Sequence, residues 1–227
     1  MFQYYGLLFC CHLVGDYYLQ VDALAERKQE QVRGVLLHSL LYVLPFVPVL
    51  VLLRVSLAEA LLLVLALGIS HFIVDSVSRN YCSFKSFLID QCIHLAVLWG
   101  MAMIFPLYVH LPAPVVGIGF ALLLIFKPSS VIVSRVLASL AVTSSEDKQD
   151  TMHAGYKIGY LERLIILLLC LFGAISTCAL VIAAKTLVRY SEFSNDSAFR
   201  EVFLVGTLMS IALALIGYGV ARLMMGM

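Results

Sequence analysis

Long apolar runs alternate with short polar ones along the whole chain. The first run, residues 2–20, carries His12 and Asp16 inside it. Residues 22–33 (DALAERKQEQVR) are polar and mixed in charge, which reads as a short interfacial helix or connector. A second run, 34–53, contains Pro45 and Pro48, each able to kink a helix. The third and fourth, 57–77 and 86–105, flank the polar stretch 78–85. After the loop PLYVHLPAP, a fifth helix starts near residue 115 and breaks at Lys127–Pro128, because proline disfavours helix in the residue before it. Residues 131–142 read as a short internal or interfacial helix, and 143–151 (TSSEDKQDT) as a soluble loop. Residues 155–193 are too long for one span: at 1.5 Å per residue they would reach nearly twice the ~30 Å hydrocarbon thickness. A turn at 173–177 divides them into a sixth helix and a short seventh that either spans or is re-entrant. The last helix covers 201–224.

This pattern predicts an all-α, polytopic membrane protein with seven or eight transmembrane helices, the first four arranged as two hairpins of similar pattern. Residues 1–106 form one half, and 107–227 form a second half with a cytoplasmic loop near 143–151. Composition agrees. Of 227 residues, 62% are hydrophobic, 13% are charged, and mean hydropathy is +1.00, whereas soluble domains are about one quarter charged. A net charge of +1 argues against a nucleic-acid partner. The first run lacks a basic n-region and a small-residue cleavage site, so it is expected to stay as a helix. The six cysteines follow no CxxC spacing and are expected as free thiols.

Charge placement orients the chain. With both ends outside, Arg27, Lys28, Arg33, Arg79, Lys85, Lys127, Arg135, Lys148, Lys157, Arg163, Lys185, Arg189 and Arg200 fall on the cytoplasmic side, and only Arg54 and Arg222 outside.

Candidate chemistry then concentrates in the first four helices. His12 and Asp16 are four residues apart, a spacing that puts both on one helical face. The spacing recurs as His71/Asp75 and, reversed, as Asp90/His94; His38 stands alone between the first two pairs. The orientation places all seven at one depth, near the cytoplasmic side. An ionised aspartate in lipid costs at least ~2.5–3.5 kcal/mol, so it needs a partner. Three aspartates and four histidines hold too many acceptors to satisfy one another. A divalent ion binding imidazole and carboxylate together removes the penalty: zinc foremost, with manganese or iron as alternatives. A metal-free proton or ion path, or a structural polar network, uses the same residues. The outer halves of these helices are almost wholly apolar, which favours a pocket over a conduit. Asp16 or Asp90 is the candidate proton acceptor. Farther along, Lys185 and Arg189 share a face and could bind an anionic group; the plainer reading is anchoring plus ion pairs with Glu162 and Glu201.

The motifs HLVGDYYLQ, LLHSLLY, SHFIVD and FLIDQCIHL, with AGYKIGYLERLIIL, VIAAKTLVRYSEF and EVFLVGTLMS in the second half, resemble a family of uncharacterised bacterial membrane proteins, domain of unknown function thirty-three-oh-seven. The resemblance implies a multi-pass protein of the bacterial cytoplasmic (inner) membrane. Through members encoded beside SatD-type regulators, it also implies a cytoplasmic regulatory partner besides the membrane lipids. It implies no activity. The His/Asp pattern is similar in style, though not along the chain, to inner-membrane metal-dependent hydrolases of the YdjM type. The functional expectation is an intramembrane metal-dependent hydrolase open to the cytoplasm, acting on a phosphoester or lipid-like substrate. A transporter or channel and a membrane sensor or anchor are the competing classes, and homo-oligomerisation stays open.

Overall fold

The structure, a computed structural model, describes residues 2–81, 83–140, 149–188, 190 and 197–226. Among these the protein is all-helical, and five helices are long and apolar enough to cross a membrane. Most of the loop expected at 143–151, and Arg189, lie outside the described residues. The chain divides into two compact units, Met1–Phe120 with Met224–Met227, and Ala121–Leu223.

In the first unit, α1 (Phe2–Leu13) runs directly into a π turn at Val14–Tyr18. The short polar helix α2 (Asp22–Glu30) follows, then α3 (Val32–Val43) and α4 (Phe46–Leu52). The last two are one apolar rod broken before Phe46, where Pro45 cannot donate a backbone hydrogen bond. Helix α5 (Leu57–Ser78) starts with an S-x-x-E sequence at Ser56–Glu59: the Ser56 hydroxyl accepts from the Glu59 amide at 3.3 Å and donates to its carboxylate at 2.7 Å. At the start of α6 (Phe84–Ile104), the Ser83 side chain accepts from the Ser86 amide. Helix α1 packs on α6, α6 on α5, α5 on α3, and α3 on the π turn, which closes a ring.

The buried stripes of this ring explain its site. On α5 the buried residues are Leu63, Leu67, His71 and Asp75, each four apart. On α6 they are His94, Leu98 and Ala102. One end of the ring therefore holds apolar side chains, among them Leu8, Phe46, Leu63, Leu67 and Leu98. The other end holds imidazoles and carboxylates. The outer face of α5 is the reverse of a soluble helix: Leu61, Leu65, Ile69, Ile73 and Val77 are all exposed, as a helix facing lipid requires.

The second unit contains the end of α7 (Ala113–Ile125), α8 (Lys127–Ser139), α9 (Gln149–Leu171), α10 (Cys178–Val188) and most of α11 (Ser197–Met225). The predicted break at Lys127–Pro128 lies between α7 and α8. The predicted turn after α9 is there too: Gly173 has φ of +76°, and the Ala174 amide donates to the Leu169 carbonyl at 2.8 Å, a glycine-terminated helix end.

Candidate metal centre

Each site residue comes from a different point on the ring: Asp16 from the π turn, His38 from α3, His71 and Asp75 from α5, His94 from α6. The π turn carries its own packing requirement. A Cβ on Gly15 would lie 2.6 Å from the Tyr42 carbonyl oxygen, so the close approach of this turn to α3 needs glycine. Such one-turn π segments recur at functional sites.

His38 Nε2 lies 3.1 Å from Asp16 Oδ1 and 3.1 Å from His71 Nε2. His71 Nε2 is 3.8 Å from the same Asp16 oxygen and 3.3 Å from Asp75 Oδ2. His94 Nε2 is 3.4 Å from Asp75 Oδ1. These contacts define two overlapping three-residue sets, Asp16–His38–His71 and His71–Asp75–His94, all buried. A tetrahedral ion with ~2.0–2.1 Å bonds keeps its ligand atoms roughly 3.3 Å apart, close to the 3.1, 3.1 and 3.8 Å of the first set. The residues fit chemically as well. Asp75 Oδ2 is served by the Lys28 ammonium at 2.6 Å, whereas Asp75 Oδ1, Asp90 Oδ1, His94 Nε2 and the Nδ1 atoms of His38 and His71 are buried without an aligned hydrogen bond. Such atoms are costly in an apolar interior.

His12 and Asp90 stand beside these sets rather than in them. His12 is fully buried, 4.0 Å from Asp16 Oδ2. A single proton arrangement satisfies its surroundings. The Gln91 amide donates to Asp16 Oδ2 at 3.0 Å and to Asp90 Oδ2 at 3.1 Å. Its carbonyl then accepts from Tyr17 at 2.9 Å and from His12 Nε2 at 3.4 Å, leaving His12 Nδ1 to accept from Tyr42 at 3.3 Å. His12 thus acts through Gln91, which ties Asp16 to Asp90. Asp90 is the least buried of the three aspartates, 12% exposed, and lies 3.7 Å from His94.

Three partners were not singled out in the chain pattern. Gln91 follows Asp90 directly. Tyr42 shares a face with His38 one turn on, and its ring stacks on His71 with centroids 3.7 Å apart. Lys28, counted among cytoplasmic anchors, reaches back from α2 to within 2.6 Å of Asp75 Oδ2. Burial alone would lower the pKa of its ammonium; the Asp75 and Asp16 carboxylates outweigh that and hold it above the usual lysine value.

In the second unit Lys185 is paired with Glu162 at 2.7 Å, the plainer of the two readings of that residue. Buried Arg163 donates to the Ile125 carbonyl, to Ser130 at 2.7 Å and to Ser210 at 2.8 Å.

Together these features define an all-helical, membrane-type protein with a buried imidazole–carboxylate centre. Residues 5–116 match the sequence model of a family described as protein of unknown function (DUF3307). The match takes in all seven His/Asp positions and stops before the C-terminal motifs. No curated protein and no solved structure matches the chain.

Proposed function

We propose that the protein is an intramembrane metal-dependent hydrolase of the bacterial inner membrane, with its site near the cytoplasmic surface. The observation that carries the reading is the meeting of His38 Nε2, His71 Nε2 and Asp16 Oδ1 within 3.1–3.8 Å. Two imidazole nitrogens facing one another beside a carboxylate are poorly served by hydrogen bonds alone. A divalent ion, zinc foremost, would be held there and would supply Lewis acidity and water activation at neutral pH. Asp90 lies outside both ligand sets and is the most accessible carboxylate, which suits a proton acceptor. Gln91 fixes its orientation, and Tyr42 fixes the plane of His71. The apolar plug of Leu8, Phe46, Leu63, Leu67 and Leu98 behind the centre supports a closed pocket rather than a path through the membrane. A phosphoester or lipid-like substrate fits a site at this depth.

The test is elemental analysis of detergent-purified protein, followed by release assays with phosphoester and lipid substrates. The expected result is about one zinc per chain and turnover that Asp90→Asn removes while leaving the metal in place. Protein that is folded, metal-free and unable to take up zinc, manganese or iron would overturn the reading.

A further inference from the structure

Lys28 carries the next step, which rests on the metal-site reading. Its position is built by the fold. Helix α2 turns back on α3 within one residue, with the Gln31 amide donating to the Arg27 carbonyl at 2.9 Å. A Cβ on Gly34 would lie 2.4 Å from the Arg27 oxygen and 2.7 Å from the Lys28 amide nitrogen, so α2 rests against α3 where only glycine leaves room. Leu24, one turn before Lys28, is the buried residue of α2 and anchors the same face. The ammonium then extends into the ring to Asp75, with Gln20 accepting a second, longer contact at 3.4 Å.

The two ligand sets cannot both be filled through the same atom. His71 Nε2 offers one lone pair, so one ion can take it at a time. With neutral imidazoles, Asp16, Asp75 and Asp90 carry three negative charges and Lys28 one positive; two negative charges remain, which one divalent ion would cancel. Lys28 already sits on the carboxylate of one set, within ion-pair distance, with 17% of its own side chain exposed and Asp75 buried, where such pairing is stronger than between two exposed groups.

We propose that Lys28 is the resident cation of this site and decides which ligand set a metal ion takes: while it holds Asp75, the ion is confined to Asp16, His38 and His71. Lys28 is therefore a specificity-determining residue, and Asp75 is a counterion to Lys28 before it is a metal ligand. Removing the ammonium frees Asp75 to join the coordination sphere.

A double-mutant cycle on zinc affinity tests this, using the full chain in detergent, stripped with chelator and titrated with zinc alone. Lys28→Met should tighten zinc binding about tenfold, a coupling of ordinary size for contacting charges. Asp75→Asn alone should change affinity by less than about threefold, and the double variant should lose the Lys28→Met gain. Lys28→Arg should bind as the wild type does, and Lys28→Gln serves if the methionine variant does not fold. Unchanged or weaker binding in Lys28→Met, beside a wild type that binds, overturns the role of Lys28 and leaves the metal site standing. A gain that survives Asp75→Asn overturns it as well. Folded chains that bind no zinc in any form overturn both.

Discussion

The two units each bury charge among apolar helices, and they do so in opposite ways. In the second unit, the break between α7 and α8 exposes carbonyls that Pro128 cannot satisfy, having no amide hydrogen. Side chains fill the gap. Ser129 donates to the Leu124 carbonyl at 2.7 Å, and Arg163 donates to Ile125 while also holding Ser130 and Ser210. Each of these bonds matches a donor to an acceptor, as a backbone irregularity inside a membrane requires. The first unit is mismatched. Imidazole nitrogens face each other, carboxylate oxygens lack aligned donors, and a lysine is drawn in from a surface helix. A matched network holds a fold together; a surplus of acceptors around one point suits a cation.

The largest effect separating the two should follow from Arg163→Ala. Three hydrogen bonds from a charged donor are lost and the Ile125 carbonyl is left in an apolar interior. Bonds to charged groups contribute about 1.5–3 kcal/mol each, and serines can partly re-bond locally, so a loss of at least ~3 kcal/mol is expected. Thermal melts in detergent should show it equally with zinc and with chelator. A zinc-dependent rescue of Arg163→Ala would end the contrast drawn between the units.

His71→Ala should behave the other way. It removes the atom shared by both ligand sets, so the wild-type gain in stability on adding zinc should vanish. That gain is ~2.7 kcal/mol at a zinc concentration a hundred times the dissociation constant. In chelator the variant should differ far less from the wild type, because the metal-free centre is already poorly satisfied. Equal destabilisation with and without zinc would mean that His71 serves packing against Tyr42 rather than a metal.

Much of this contrast was legible in the chain. Spacing of four between His71 and Asp75, and between Asp90 and His94, placed each pair on one stripe, and the helical register carried through to the buried face. The turn at Gly173 marked a helix end because its chemistry is local. What escaped depends on partners distant in sequence. The π turn changes the register at Asp16, which an assumed α-helix cannot show. Gly15 and Gly34 look like ordinary membrane-helix glycines until the Tyr42 and Arg27 carbonyls are beside them. Lys28 was counted for its charge, which argued topology, whereas its position depends on α2 folding back onto α3. His12 has the spacing of a ligand, yet Gln91 and Tyr42 satisfy both of its nitrogens.

The smallest expected effect belongs to Lys185, and it sharpens the comparison most directly. Lys185 and Glu162 are paired at 2.7 Å with 22% and 14% of their side chains exposed, so the pair is neither fully wet nor dry. The ammonium also lies 5.2 Å from the centre of the Phe203 ring, a favourable cation–π approach. Lys185→Gln keeps the length of the side chain nearly intact and can still donate to Glu162. The expected cost is therefore ~0.5–1 kcal/mol, in the range of partly exposed ion pairs, and it should shrink at high salt. Zinc affinity and any turnover should not change, because Lys185 is held by a matched partner as Arg163 is. A loss of substrate binding in Lys185→Gln, with melting temperature and zinc content unaltered, would instead give this lysine the anion-binding role that its spacing with Arg189 allows, and would extend the functional site into the second unit.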